Sequence, residues 1–221
     1  MPATDPKRRP ALSRDRVVHE AVELADHEGI DALSMRKLAQ ALGVEAMSLY
    51  HHVANKDDLL DGMVDLVFSE VEMPTAGSPW QAEIRRRCTS LREVLLRHPW
   101  AVGRLDSRRS PGMANLLHHD AVLGCLRAGG FTVRGSGQAF AMIDSYVYGF
   151  VVQELSLPME PGEDTADLAV EILASAPTDA LPHLAEMVKD YVGLPGYAFA
   201  NEFEPGLDLL LDALERQRRK R

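Results

Sequence analysis

The chain is predicted to be all-α, with an N-terminal helix-turn-helix head and a larger C-terminal helical domain. Three observations carry this. Apolar residues recur at helical spacing, as in Val17, Ala21, Leu24 and Ala25, without the alternating or β-branched runs that strands need. The segment Ser34 to Lys56, SMRKLAQALGVEAMSLYHHVANK, reads as two short helices around a tight turn. Residues 73–79, MPTAGSP, form the clearest linker and the expected domain boundary.

Each element follows from local chemistry. Ser13 is placed to cap a first helix running to about His27, with Gly29 closing it. Ser34 caps the first hairpin helix, about 35–42. Gly43 ends it, because so tight a turn needs a left-handed backbone that glycine adopts without steric penalty. The second hairpin helix is expected over about 46–52. Leu38, Leu42, Val44 and Leu49 pin the pair together, and Ala39 is small where the helices would cross. Asn55 caps a fourth helix near Lys56 to Glu72, whose apolar face is Leu59, Leu60, Met63, Val64, Val67 and Phe68. Beyond the linker, helices are expected at about 80–97, 112–128, 135–155, 166–175, 179–192 and 203–220. Pro111, Gly129-Gly130, Pro158 to Gly162, Pro177 and Leu194 to Gly196 punctuate them. The domains are therefore an arm and helix-turn-helix over 1–56, a connecting helix and linker over 57–78, and a helical domain over 79–221.

Composition removes several classes. A chain of 221 residues that is 46% hydrophobic is long enough for a real core and is not disordered. Its two cysteines, Cys88 and Cys125, are read as small buried hydrophobes in a reducing compartment. No apolar run approaches the roughly 18–20 residues of a membrane span, and the N-terminus lacks the apolar core of a secretory signal. A cytoplasmic protein without membrane contact is expected. Phosphate loop, nucleophile elbow, HExxH and CxxC are all missing, so no enzyme, metal or cofactor is expected. His118-His119-Asp120 diverge around a helix and are expected in solvent.

A net charge of −9 is at first sight wrong for a nucleic-acid binder. Its distribution resolves this. Through Lys56, eight Lys/Arg balance eight Asp/Glu, so the rest of the chain carries the whole −9. The head's cations bunch in an arm at Lys7 to Arg16 and around the hairpin, which is enough for phosphate contacts. The second hairpin helix turns outward Ala46, Met47, Ser48, Tyr50, His51 and His52, short or hydrogen-bonding side chains suited to a major groove.

The blocks RKLAQALGV, SLYHHVANK and LLD resemble the TetR family of bacterial transcription regulators, and in it the tetracycline-repressor branch. CLRAGGF, YGFVVQE and FEPGLDLLLDALERQ extend the resemblance over the C-terminal half. It implies a homeodomain-like three-helix head on a ligand-binding and dimerisation domain. It also implies a homodimer on palindromic double-stranded DNA, acting as a repressor that a small-molecule effector releases. The second half of the 135–155 helix region and the 203–220 helix would form the dimer's four-helix bundle, with Gly149 allowing close approach. By position, Ser34, Met35 and Arg36 correspond to DNA contacts of the first hairpin helix. Ala46, Met47, Ser48, Tyr50, His51 and His52 correspond to the recognition helix, and Lys56 to a phosphate contact. Ala46 and Met47 stand where the branch has an amide and a proline, so a different operator is expected.

The effector site is less legible. The branch holds a magnesium–tetracycline chelate with histidines where this chain has Leu105 (or a neighbour) and Glu72, so that ligand is not expected. Arg87 is either buried against an anion, from the ligand or from Asp144 or Glu154, or a solvated member of the run Arg85-Arg86-Arg87. Phe68, Leu91, Trp100, Leu105 and Val122 are candidate pocket residues. So are Phe140, Ile143 and Tyr146, with Met142 beside them. A helical DNA-binding or scaffold protein with no effector is the alternative.

Overall fold

The computed structural model describes residues 11–75, 77–104, 112–158, 165–177 and 180–219. Among them are ten α-helices and no strand. They are α1 (Arg14–Glu28), α2 (Met35–Leu42), α3 (Ala46–Leu49), α4 (Lys56–Ser69), α5 (Trp80–Arg97), α6 (Met113–Ala128), α7 (Val133–Leu155), α8 (Thr165–Ala174), α9 (Pro182–Met187) and α10 (Phe203–Arg219). The all-α expectation holds. No helix among the described residues is long and apolar enough to cross a membrane.

The chain divides into two compact units, 1–75 with 89–122 and 76–88 with 123–221. One boundary falls inside the expected linker. The others fall within α5 and α6, each of which contributes one part to each unit.

In the first unit the expected caps form. Ser13, Ser34 and Asn55 each accept a hydrogen bond from the backbone N–H three residues on, at 3.3, 3.2 and 2.8 Å. Gly43 is left-handed (φ 69°, ψ 38°), and Val44 N–H reaches back to the Ala39 carbonyl at 3.0 Å, closing α2. Leu38, Leu42, Leu49, Val53, Leu59 and Met63 are buried, and Val44 is half-buried. The expected helix 46–52 is shorter. It ends at Leu49, whose carbonyl takes both the His52 and Val53 N–H groups in a turn that buries Val53. Similarly, α4 stops at Ser69 rather than Glu72.

The second unit is built on α7 and α10. Tyr146 donates its hydroxyl to the Phe203 carbonyl at 2.8 Å, and Phe150 stacks on Phe199 with centroids 4.6 Å apart. Trp80 meets Phe131 edge-on at 4.9 Å and donates its indole N–H to Glu215 at 3.2 Å. Hydrogen bonds from Arg218, Arg219 and Trp80 outweigh the effect of burial and hold the Glu215 carboxyl at about 2. Gly149 faces open space within the chain, whereas Gly206 is the glycine on which α7 and α10 close: a Cβ there would overlap the Tyr146 hydroxyl. The expected helix 179–192 is broken. Pro182, which lacks an N–H, occupies the first turn of α9, and the backbone widens into a π-turn over Val188–Val192.

Gly206→Ala is a sharp test, because glycine to alanine inside a helix ordinarily stabilises by about 1 kcal/mol. Here the urea midpoint is expected to fall, and Tyr146→Phe in the same chain to recover part of the loss. A raised midpoint for the single variant would show that the helices do not close on this residue.

Candidate nucleic-acid interface and core cavity

The head separates a buried face from an outward one. Beyond Leu38, Leu42 and Leu49 stand Arg36, Met47, Tyr50 and His51, all exposed, with Met47 73% exposed. Met35, Ala46, Ser48 and His52 are half-buried at the edge of this surface. A solvent-facing methionine has no packing explanation within the head.

Several polar residues are already engaged. The Ser34 hydroxyl is the cap of α2, and Lys56 donates its ammonium to the Leu33 carbonyl at 2.9 Å, tying the start of α4 to the entrance of α2. Lys37 pairs with Glu28. Arg14, counted with the cationic arm, is engaged within the head. Its guanidinium grips Asp58 at 2.6 and 2.9 Å and donates to the His52 carbonyl at 3.1 Å, while Asp58 also accepts from Ala54 N–H at 2.7 Å. One arginine thus joins α1, the turn after α3 and the first turn of α4. The Arg14 and Ala54 hydrogen bonds hold the Asp58 carboxyl below its ordinary value, and the bond to Asp58 holds Arg14 above its own. Lys7, Arg8 and Arg9 lie outside the described residues.

The candidate effector residues scatter. Arg87 is fully buried (0% exposed), which settles against a solvated run, and it pairs with Asp144. Burial works against its charge, but Asp144, with Cys88 and Tyr148 beside it, holds the guanidinium above its ordinary value. Beside it, burial pushes the Cys88 thiol up to about 11. The helical phase Ile84, Arg87/Cys88, Leu91, Leu95 could have told Arg87 from Arg85 and Arg86, which are more open. Leu91, Val122 and Ile143 are closed core, while Phe140, Tyr146 and Glu154 are half-buried. Trp100 donates its indole N–H to Asp26 at 2.7 Å rather than offering a plain apolar wall. Leu105 lies outside the described residues.

One cavity in the first unit touches a candidate residue. It has a volume of about 190 Å³ and lies between the end of α4 and the start of α6, lined by Phe68, Ser69, Val71, Met73, Ala114, Leu117 and His118. Only Phe68 was anticipated. His118, expected in solvent, is 1% exposed, and its ring lies 5.8 Å from that of Phe68. Asn115, His118, Val122 and Cys125 share one helical phase, the signal that a reading of three adjacent residues misses. The wall is fastened: the Asp65 carboxylate of α4 accepts from Ala114 and Asn115 N–H at 3.0 and 3.4 Å, capping α6.

A helix-turn-helix with an exposed outer face, joined to a helical domain, defines a DNA-binding transcription regulator. The profile of "Bacterial regulatory proteins, tetR family" matches residues 17–63, and "Tetracyclin repressor-like, C-terminal domain" matches residues 73–218. The chain belongs to the tetR family. It is 41% identical over 154 residues to an HTH-type transcriptional regulator of Saccharopolyspora erythraea, covering 69% of this chain and 65% of that relative. It is 33% identical over 226 residues to the HTH-type transcriptional repressor DrrR1 of Streptomyces coeruleorubidus, covering 97% and 80%. The structure of ActR from Streptomyces coelicolor in complex with actinorhodin is similar at a TM-score of 0.78 and 30% identity, covering 95% of this chain and 99% of that one.

Two predictions follow from these side chains. Arg87→Ala leaves Asp144 buried without its cation and is expected to destabilise by about 3–5 kcal/mol, whereas Arg87→Met with Asp144→Leu is expected to lose far less; chemical denaturation of both variants measures this. The Arg14–Asp58 clasp is partly exposed and stabilises by no more than about 1 kcal/mol. Because Asp58 is shifted down, that contribution is complete above its unfolded value and fades as the pH drops through the folded one. Denaturation from pH 6 to pH 3 is expected to lose less stability in Asp58→Asn than in the wild type.

Proposed function

We propose that the chain is a dimeric repressor that occupies a palindromic operator and is released by a small-molecule effector. The observation that carries the DNA part is the outward surface of Arg36, Met47, Tyr50 and His51 set on a closed leucine core. Arg36 reads a base edge, guanine being the partner its fork fits. Ala46 and Met47 bring only apolar surface, which favours thymine methyl groups. Ser48, Tyr50, His51 and His52 set the register on phosphates and nearby edges, with Ser34 and Met35 at the margin. Lys56 keeps donors for a phosphate beyond its bond to Leu33.

The dimer would form on α7 and α10, where Met142, Val152, Leu155 and Leu209 are exposed, Leu209 at 72%. The effector would take the cavity between α4 and α6. Its apolar wall with buried His118 suits an apolar ligand carrying a polar group. The volume of about 190 Å³ is below the ~300–1,000 Å³ typical of pockets for drug-sized ligands. A ligand of that size therefore has to part the end of α4 from α6, which is how binding would reach the head. That ActR is found in complex with actinorhodin, and that DrrR1 is named a repressor, support this reading. Phe68 is the candidate residue retained at that cavity, and Arg87 and Asp144 are assigned to each other.

Selection of duplexes from a random library by the purified protein tests the DNA part. An enriched palindrome is expected. Arg36→Ala should relax one base pair per half-site at about 1–3 kcal/mol, whereas Lys56→Ala should weaken all sequences alike and flatten the salt dependence. Absence of any enriched sequence at low salt would falsify the assignment of the hairpin as a sequence reader.

A further inference from the structure

The first unit contains a second polar cluster, made of residues that belong neither to the outward face nor to the lining of the cavity. His98, in the turn after α5, is 7% exposed and lies between two carboxylates. Its Nδ1 lies 2.9 and 3.0 Å from the oxygens of Asp26 on α1, and its Nε2 lies 3.3 and 3.4 Å from those of Glu70 just past the last turn of α4. Two further donors complete the cluster. Trp100 gives its indole N–H to Asp26 at 2.7 Å, and Arg97, at the end of α5, gives a guanidinium N–H to Glu70 at 2.6 Å. The His98 and Trp100 rings meet edge to face with centroids 6.3 Å apart. These are the charged and titratable groups that face His98 from α1, α4 and α5.

A carboxylate only accepts, so an imidazole aimed at carboxylates from both nitrogens satisfies both only when both carry N–H. The arrangement therefore fits the imidazolium. Neutral imidazole would turn a lone pair on Asp26 or Glu70, and one of the two links would be lost, the carboxylate released being left to solvent. Burial alone would raise the Glu70 carboxyl, but hydrogen bonds from Arg97 and His98 hold it below its ordinary value.

We propose that His98 is a proton-controlled latch, closed as the imidazolium, that fastens the end of the head's first helix to the end of α4. Deprotonation unlatches Asp26 or Glu70 and loosens the end of α4 against α1, which stay joined by their direct packing and by Arg14–Asp58. The consequence for DNA rests on the regulator reading above: His98 acts as a positioning residue, and a head held in one setting binds its operator more tightly than a loosened one.

The chain has two tryptophans, Trp80 and Trp100, and so two indole N–H signals in a nitrogen-15 spectrum, assigned with Trp80→Phe. In the full-length protein the Trp100 signal is expected to shift with pH as a single titration, while that of Trp80 follows no such curve. His98→Gln and, separately, Asp26→Asn should each abolish the Trp100 titration, so the test survives if one variant folds poorly. A Trp100 signal that stays put between pH 5 and 8.5, or titrates unchanged in His98→Gln, overturns the latch without reference to DNA. With the enriched duplex as probe, wild-type affinity should weaken at least about tenfold from pH 6 to 8.5, the scale of a lost charge-assisted hydrogen bond. His98→Gln should sit near the wild type's high-pH affinity, with a shallower slope. An unchanged slope in that variant would remove the link to DNA binding.

Discussion

Helix α4 is the constraint on which the first unit depends. Its apolar stripe, Leu59, Met63, Val64, Val67 and Phe68, is buried, so the helix is part of the head's core and not a free connector. Three carboxylates along it are tied to three different elements. Asp58 holds Arg14 of α1, Asp65 caps the N-terminus of α6, and Glu70 reaches His98 and Arg97 at the end of α5. Any change in the α6 start or the α5 end is therefore felt at α4, and any shift of α4 is felt at the head. The apolar contacts resist separation, whereas the polar ties set position, because hydrogen bonds to charged groups are directional and short.

This division of labour bears on the DNA surface. The outward side chains make few internal contacts and could be exchanged without loss of the head. Ser34, Lys56 and Arg14 each complete an internal hydrogen bond within one or two turns of those outward side chains, so a substitution at these positions changes the geometry on which that surface is set. Arg87 has an internal task alone: its fully buried charge is met by Asp144, so a ligand anion is not needed to explain it.

Much of the head was legible because its signals are local. A cap needs a side-chain oxygen three residues before its donor, a tight turn needs a left-handed glycine, and a helix face needs residues three and four apart. Ser13, Ser34, Gly43 and Asn55 obey these rules without help from distant chain. The boundary of α3 was not local in this sense. Burial of Val53 ends it in a turn, although Tyr50, His51 and His52 have no helix-breaking chemistry of their own.

By itself, the sequence determined the helical class, most helix starts, the leucine core of the hairpin and the exposure of Met47, Tyr50 and His51, since all of these arise from contacts within one or two helical turns. Only the tertiary structure decided which charges are internal. Arg14, Arg87, His98 and Asp65 find partners 28 to 72 residues away, and no spacing rule anticipates such a meeting. It decided the cavity too, because a void between α4 and α6 belongs to neither helix. The free energy of a buried charge depends on what the fold brings against it, and that is fixed by packing over the whole unit.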